Sequence, residues 1–281
     1  MLKNGDTIGL IACSNGRPRA SEIKLKQIEQ FLADLGIQTV RAATLFACEG
    51  QASGTAHQRA VELAKLYQDD KIKLIFDISG GDLANQVLPF IDFDIIKQTK
   101  KPLVGLSDLT TLLNAIWQKT AVAGYYFQLM TLAGSSAATQ QQQFIKQFMS
   151  NGSLPSYHFV RNEQTFSGIV YGGNIRCLLK LAGTSYWPKV NKGVLLLEGL
   201  SGNYERNATY VAQLAQLNVF NNCVGVVLGT FSELDKTGSQ QIEQLLADVL
   251  PPGIPLVRTA AIGHGDEAGV LPIGHEVTFK S

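Results

Sequence analysis

What the 281-residue chain lacks narrows its class before any motif is read. It has only four cysteines, Cys13, Cys48, Cys177 and Cys223, far apart and with no Cys-x-x-Cys pair. Each lies in or near an apolar stretch, so they read as reduced, buried thiols of a cytosolic protein. Charge of one sign is absent too. Lys and Arg number 24 against 23 Asp and Glu, a formal charge of +1, with no run of like charges, which argues against nucleic acid or anionic lipid as a partner. No window approaches the roughly 18 apolar residues of a membrane helix, so a soluble protein is expected. Leu10-Ile11-Ala12-Cys13 resembles a lipoprotein cleavage site, but the few residues before it include Asp6. They leave no room for a charged segment plus an apolar one of roughly 7 to 15 residues. No His-x-x-x-His pair or Asp/His cluster appears, so no metal is expected. Gly80-Gly81 lacks the third glycine of a dinucleotide fingerprint.

What is present is an alternation of short apolar runs with amphipathic segments. Thr7–Ala12, Ile37–Val40, Lys73–Ile78 and Pro102–Gly105 read as strands. Ser21–Leu35, His57–Gln68 and the leucine-rich stretch after Ser107 read as helices. This pattern predicts a parallel sheet covered on both faces, with ligands beyond the carboxyl ends of its strands. From Ala133 to about Phe166 the apolar pattern thins through Gly134-Ser135-Ser136, Gln140 to Gln143 and Asn151-Gly152-Ser153. That stretch reads as a connection, and a second strand–helix unit starts near Gly168. The expected division is an N-terminal domain 1–150, a linker 151–167 and a smaller α/β domain 168–281.

The stretch with most chemistry is Leu103-Val104-Gly105-Leu106-Ser107-Asp108-Leu109, which reads as strand, sharp turn, helix. A serine there can face a cleft beside a helix amino terminus, or it can simply cap the helix. The second glycine of Gly-x-Ser-x-Gly is missing, which argues against an ordinary α/β-hydrolase. Glu198 ends the apolar run Val194–Leu197, and His264 sits between Gly263 and Gly265. Ser107, His264 and Glu198 form a nucleophile, base and orienting-acid set in which every member lies at a strand-to-loop junction. Amides of Gly81 and Asp108 could form an oxyanion hole. His57, His158 and His275 read as surface residues.

With those residues in hand, the chain resembles the LD-carboxypeptidase family, which includes murein tetrapeptide carboxypeptidases and microcin-immunity relatives. The resemblance runs over nearly the whole chain. It rests on Ser79-Gly80-Gly81, Leu88-Pro89-Phe90-Ile91-Asp92-Phe93-Asp94, Gly105-Leu106-Ser107-Asp108, Gly172-Gly173-Asn174, Leu195-Leu196-Leu197-Glu198, Gly225–Gly229, and Gly263-His264 followed by Pro272-Ile273-Gly274. It implies a Rossmann- or flavodoxin-like first domain, a smaller second one, a Ser107–Glu198–His264 triad in the cleft between them, and a cytoplasmic homodimer without metal or cofactor. The implied reaction is hydrolysis of the L,D-peptide bond to a terminal D-alanine in muropeptides. The alternatives are a hydrolase of peptidyl or aminoacyl nucleotides and a catalytically silent binding protein. Gly80, Asp82 and Asn174 are the candidate substrate contacts. Three departures bear on the substrate side: Ser79 stands where family members often carry arginine, Asp82 replaces an aromatic or small residue, and Gly124-Tyr125-Tyr126-Phe127-Gln128 lacks the Gly-Pro commonly found there.

Overall fold

The computed structural model describes residues 1–150, 152–236, 238, 241–265 and 268–281. The first half runs β1 (Thr7–Ile11), α1 (Glu22–Asp34), β2 (Gln38–Arg41), α2 (Ala56–Gln68), β3 (Ile72–Asp77), α3 (Phe93–Thr99), β4 (Leu103–Gly105), α4 (Thr110–Thr120), β5 (Gly124–Tyr126) and α5 (Ala137–Phe144). The second runs β6 (His158–Arg161), β7 (Phe166–Asn174), α6 (Ile175–Leu179), β8 (Gly193–Gly199), α7 (Tyr204–Gln216), β9 (Cys223–Phe231), α8 (Gln241–Ala247), β10 (Leu256–Arg258), β11 (Leu271–Ile273) and β12 (Glu276–Phe279). No helix among the described residues is long and apolar enough to cross a membrane.

Two six-stranded sheets result, in the orders β11-β5-β4-β3-β1-β2 and β12-β7-β8-β9-β10-β6. Every pairing between β1 and β5 is parallel, as is every pairing from β7 to β10. Antiparallel strands β11, β12 and β6 close the edges. Buried parallel strands need apolar side chains on both faces, and β1 and β8 are buried at every position. Several helices start at side-chain caps: Thr55 and Gln58 form a reciprocal capping box on α2, and Asp92, Asn174 and Asn203 cap α3, α6 and α7.

Three expectations are corrected. The stretch with the glutamine run is not an open connection, because Gln140–Gln143 lie on α5, which continues through a wider turn over Ile145–Met149. Its apolar content is small but spaced one turn apart. Phe144 and Phe148 are buried and meet the rings of Phe76 and Phe127, supplying the apolar part of a buried face that also holds Gln140. Residues 151–167, read as a linker, contribute edge strand β6 and the first residues of β7. Cys48, expected to be buried with the other thiols, is exposed. The polar Glu49-Gly50-Gln51 turn that follows holds it at the surface.

The segment 271–273 crosses back to the first sheet, where Leu271 pairs with Tyr126. One apolar cluster accordingly spans both sheets, joining Leu112, Leu113 and Tyr126 to Val170, Leu196, Ile262 and Leu271. Each such side chain contributes about 1.5–3 kcal/mol on burial, so the two halves share a core.

Candidate active site

Ser107 follows β4 directly. Leu106 is extended, and Ser107 itself takes φ +63° before the chain turns into a short 3-10 segment and α4. A left-handed conformation in a residue with a Cβ costs about 1–2 kcal/mol, so surrounding contacts must hold it. Ser107 is not the N-cap of that segment, a position that Leu106 takes without a side-chain hydrogen bond. The backbone is held instead by a phenol: the Ser107 N–H donates to Tyr126 Oη at 3.0 Å.

Tyr126 Oη donates in turn to Glu198 Oε1 at 2.6 Å, and Asn174 Nδ2 donates to the same oxygen at 2.9 Å. The other carboxylate oxygen, Oε2, faces His264 Nδ1 at 2.7 Å. Glu198 is fully buried, so a carboxylate there requires these three partners. Since the carboxylate only accepts, Nδ1 carries the proton and Nε2 is left as the free ring nitrogen. Thr230 positions the histidine backbone by accepting its N–H at 3.2 Å. Ser107, Glu198 and His264 are thus linked through one hydrogen-bonded chain. Neither Ser107 Oγ nor the free His264 nitrogen is engaged by another described residue.

Gly81 has φ +121°, and a Cβ there would lie 2.3 Å from the Asn15 side chain. Asn15 Oδ1 accepts the Asp82 N–H at 3.0 Å, which turns this loop, and the Gly81 amide has no acceptor among the described residues. The same is true of the Asp108 amide at the start of the 3-10 segment, whereas the Ser107 amide is occupied by Tyr126. Gly80 forms a bridge to Asn15.

The departures at Ser79 and Asp82 have local partners. Ser79 is fully buried, donates through Oγ to Asp77 Oδ1 at 2.5 Å and accepts the Ser14 N–H at 3.0 Å. It braces the ends of β1 and β3. Burial pushes the Asp77 carboxyl above its ordinary range, against the hydrogen bonds from Ser79 and Cys13. Asp82 is exposed and pairs with Arg176 and, at 3.5 Å, with Lys180, both from the second half of the chain. Partial desolvation alone would raise its carboxyl, but the Arg176 contact and the two positive charges outweigh it and hold it below the usual range. Asn174, expected at the substrate, is buried. It spends its amide on Glu198 and on the Cys177 N–H that opens α6.

Sequence reasoning missed Tyr126, Arg176 and Lys180. Tyr126 sits in Gly124-Tyr125-Tyr126, where two adjacent aromatics give no sign of which turns inward. Arg176 and Lys180 look like ordinary helix charges until the topology lays α6 beside Gly81.

Comparisons with known proteins agree over the full length. The LD-carboxypeptidase N-terminal domain matches residues 8–127 and the LD-carboxypeptidase C-terminal domain residues 167–279. A probable murein peptide carboxypeptidase of Bacillus subtilis is 26% identical, the match covering 100% of this chain and 90% of that one. The microcin C7 self-immunity protein MccF of Escherichia coli is 25% identical over 97% and 90%. The crystal structure of muramoyltetrapeptide carboxypeptidase from Oxalobacter formigenes superposes with TM-score 0.84 at 20% identity, covering 98% and 95%, a likeness of fold. By both domain matches, this chain belongs to the LD-carboxypeptidase family.

Proposed function

We propose that the protein is a serine carboxypeptidase that hydrolyses the L,D-peptide bond to a terminal D-alanine in muropeptides. The observation that carries the reading is the orientation of Glu198, whose Oε2 meets His264 Nδ1 while Oε1 is tied to the nucleophile turn through Tyr126. In this reading Ser107 Oγ attacks the scissile carbonyl carbon and its proton passes to His264 Nε2. The oxyanion settles between the Gly81 and Asp108 amides, which are free to donate. Collapse breaks the C–N bond, with His264 returning the proton to the departing D-alanine amine. Water, deprotonated by the same nitrogen, then releases the acyl group. The family and the murein peptide carboxypeptidase likeness support this substrate class.

The experiment is release of D-alanine from muramoyl tetrapeptides carrying lysine or diaminopimelate, which also identifies the preferred diamino acid. Ser107→Ala should lower the rate by about 10⁴-fold or more. Release by that variant at the wild-type rate overturns the reading. The likeness to MccF favours a second substrate class, a peptidyl or aminoacyl nucleotide. Incubation with both classes, followed by mass spectrometry, separates them. A covalent acyl adduct on Ser107 excludes the silent-binding alternative. The same reading places the protein in the cytoplasm as a homodimer, which light scattering tests.

A further inference from the structure

The geometry points to Tyr126 as a positioning residue for the proposed reaction, its hydroxyl joining the backbone of the nucleophile turn to the carboxylate that holds His264. The inference rests on the triad reading above and extends it to a residue that contributes no atom to the reaction.

The polarity of the two hydrogen bonds is fixed. An amide N–H only donates, so the Tyr126 oxygen accepts from Ser107, and its single proton goes to Glu198 Oε1. One hydroxyl thereby sets two geometries at once, the left-handed turn at Ser107 and the rotamer of the Glu198 carboxylate. The ring is fully buried at the end of β5, where Leu271 of β11 pairs with it. It lies so close to β7 that a Cβ on Gly173 would come within 2.9 Å of Tyr126 Cε2, and it has no room to swing away. Burial first, and the Glu198 charge second, hold the phenol well above its ordinary range, so it remains a neutral donor. Ser107 lies on the turn that leaves β4 of the first sheet and Glu198 on β8 of the second, so the hydroxyl also registers one sheet against the other. Because this contact takes up the Ser107 amide, oxyanion donation falls to Gly81 and Asp108.

Tyr126→Phe removes the hydroxyl and keeps the ring. D-alanine release and the labelling rate of Ser107 by a serine-directed organophosphonate are both read per folded molecule, the folded fraction being taken from near-ultraviolet circular dichroism. Tyr125→Phe is the control, since Tyr125 is half-buried on the neighbouring position and its ring meets Phe148 edge-on and His275 at a tilt. Tyr126→Phe should lower kcat and the labelling rate by about 10- to 100-fold, as a small displacement of reacting groups does, with KM within about 3-fold. Tyr125→Phe should leave both rates at wild type. Wild-type kcat and labelling in folded Tyr126→Phe overturn the inference, as does a rise in KM at unchanged kcat. Ser107→Ala separates the two levels. If that variant still releases D-alanine at the wild-type rate, the triad reading itself has failed. If it is inert while Tyr126→Phe runs at full speed, only the positioning role has.

Discussion

Lys180 of α6's C-terminal end places its ammonium 2.5 Å from the fully buried carboxylate of Asp108, the residue that follows Ser107. The other oxygen of Asp108 accepts Ser14 Oγ at 2.6 Å and the Ala84 N–H at 2.8 Å. Three separate segments therefore meet on one side chain, and one of them comes from the second half of the chain. The turn at Ser107 is held from outside its own sheet at Asp108 as well as at Tyr126.

Removing Lys180 should cost more than a surface ion pair would. Lys180→Met leaves a buried carboxylate without its cation, a change worth about 3 kcal/mol or more. Urea unfolding should show it as a lower midpoint. Asp108→Asn combined with Lys180→Met should recover part of the loss, because the uncompensated charge is gone. Equal midpoints for the wild type and Lys180→Met would show that Asp108 is satisfied by Ser14 and Ala84 alone.

The strain at Ser107 gives a prediction in which stability and activity part company. Both Ser107→Ala and Ser107→Gly abolish the proposed nucleophile, but only glycine takes φ +63° freely. The glycine variant should be the more stable of the two by about 1 kcal/mol. Guanidinium denaturation of the pair measures it, with D-alanine release absent from both.

Asp82 should contribute to the acid dependence of stability. Its carboxyl is held below the usual range although partial desolvation opposes this, because the Arg176 contact and the Lys180 charge prevail. A depressed carboxylate stabilises the fold fully above its unfolded value of about 3.9. That contribution disappears as pH falls through the folded value. The Tm difference between wild type and Asp82→Asn should be positive and flat above about pH 5, then shrink toward zero below about pH 4.

The sheets, and the positions of the candidate site residues at strand ends, were legible because period and position carry them. Strands such as Val194–Leu197 announce themselves by unbroken apolar runs, and Ser107, Glu198 and His264 stand where such runs end. Partners that meet only after folding were not. Tyr126 reaches Glu198 across 72 positions and Lys180 reaches Asp108 across the same separation. α5 was hidden because two phenylalanines suffice to bury it. The return of Leu271–Ile273 to the first sheet leaves no local mark, since three residues make too short a run to reveal which sheet they join. Cys48 shows the reverse error: an apolar neighbourhood in sequence became an exposed thiol. Ellman's reagent should therefore modify it readily in the native protein, while Cys13, Cys177 and Cys223, buried and with pKa values raised mainly by desolvation, react only on unfolding.

The glycine before His264 should be as sensitive to substitution as the proposed triad. Gly263 has φ +126°, and a Cβ there would lie 2.2 Å from Thr230 Oγ1 and 3.2 Å from Glu198 Oε2. Thr230 is the residue that accepts the His264 N–H, and its own N–H donates to Ile262 O at 2.8 Å. An added methyl cannot be absorbed without moving the loop that aims the imidazole. Gly263→Ala should lose about 1–3 kcal/mol of stability through strain alone. It should also lower kcat by about 100-fold if the imidazole shifts by an ångström. Gly265→Ala, on the other side of the same histidine, is the matched control, since among the described residues the nearest atom to its added Cβ is Ala260 O at 3.8 Å. Denaturation midpoints and D-alanine release on the two variants should diverge sharply. Equal behaviour would mean that the loop, and with it His264, is free to re-form around the added methyl.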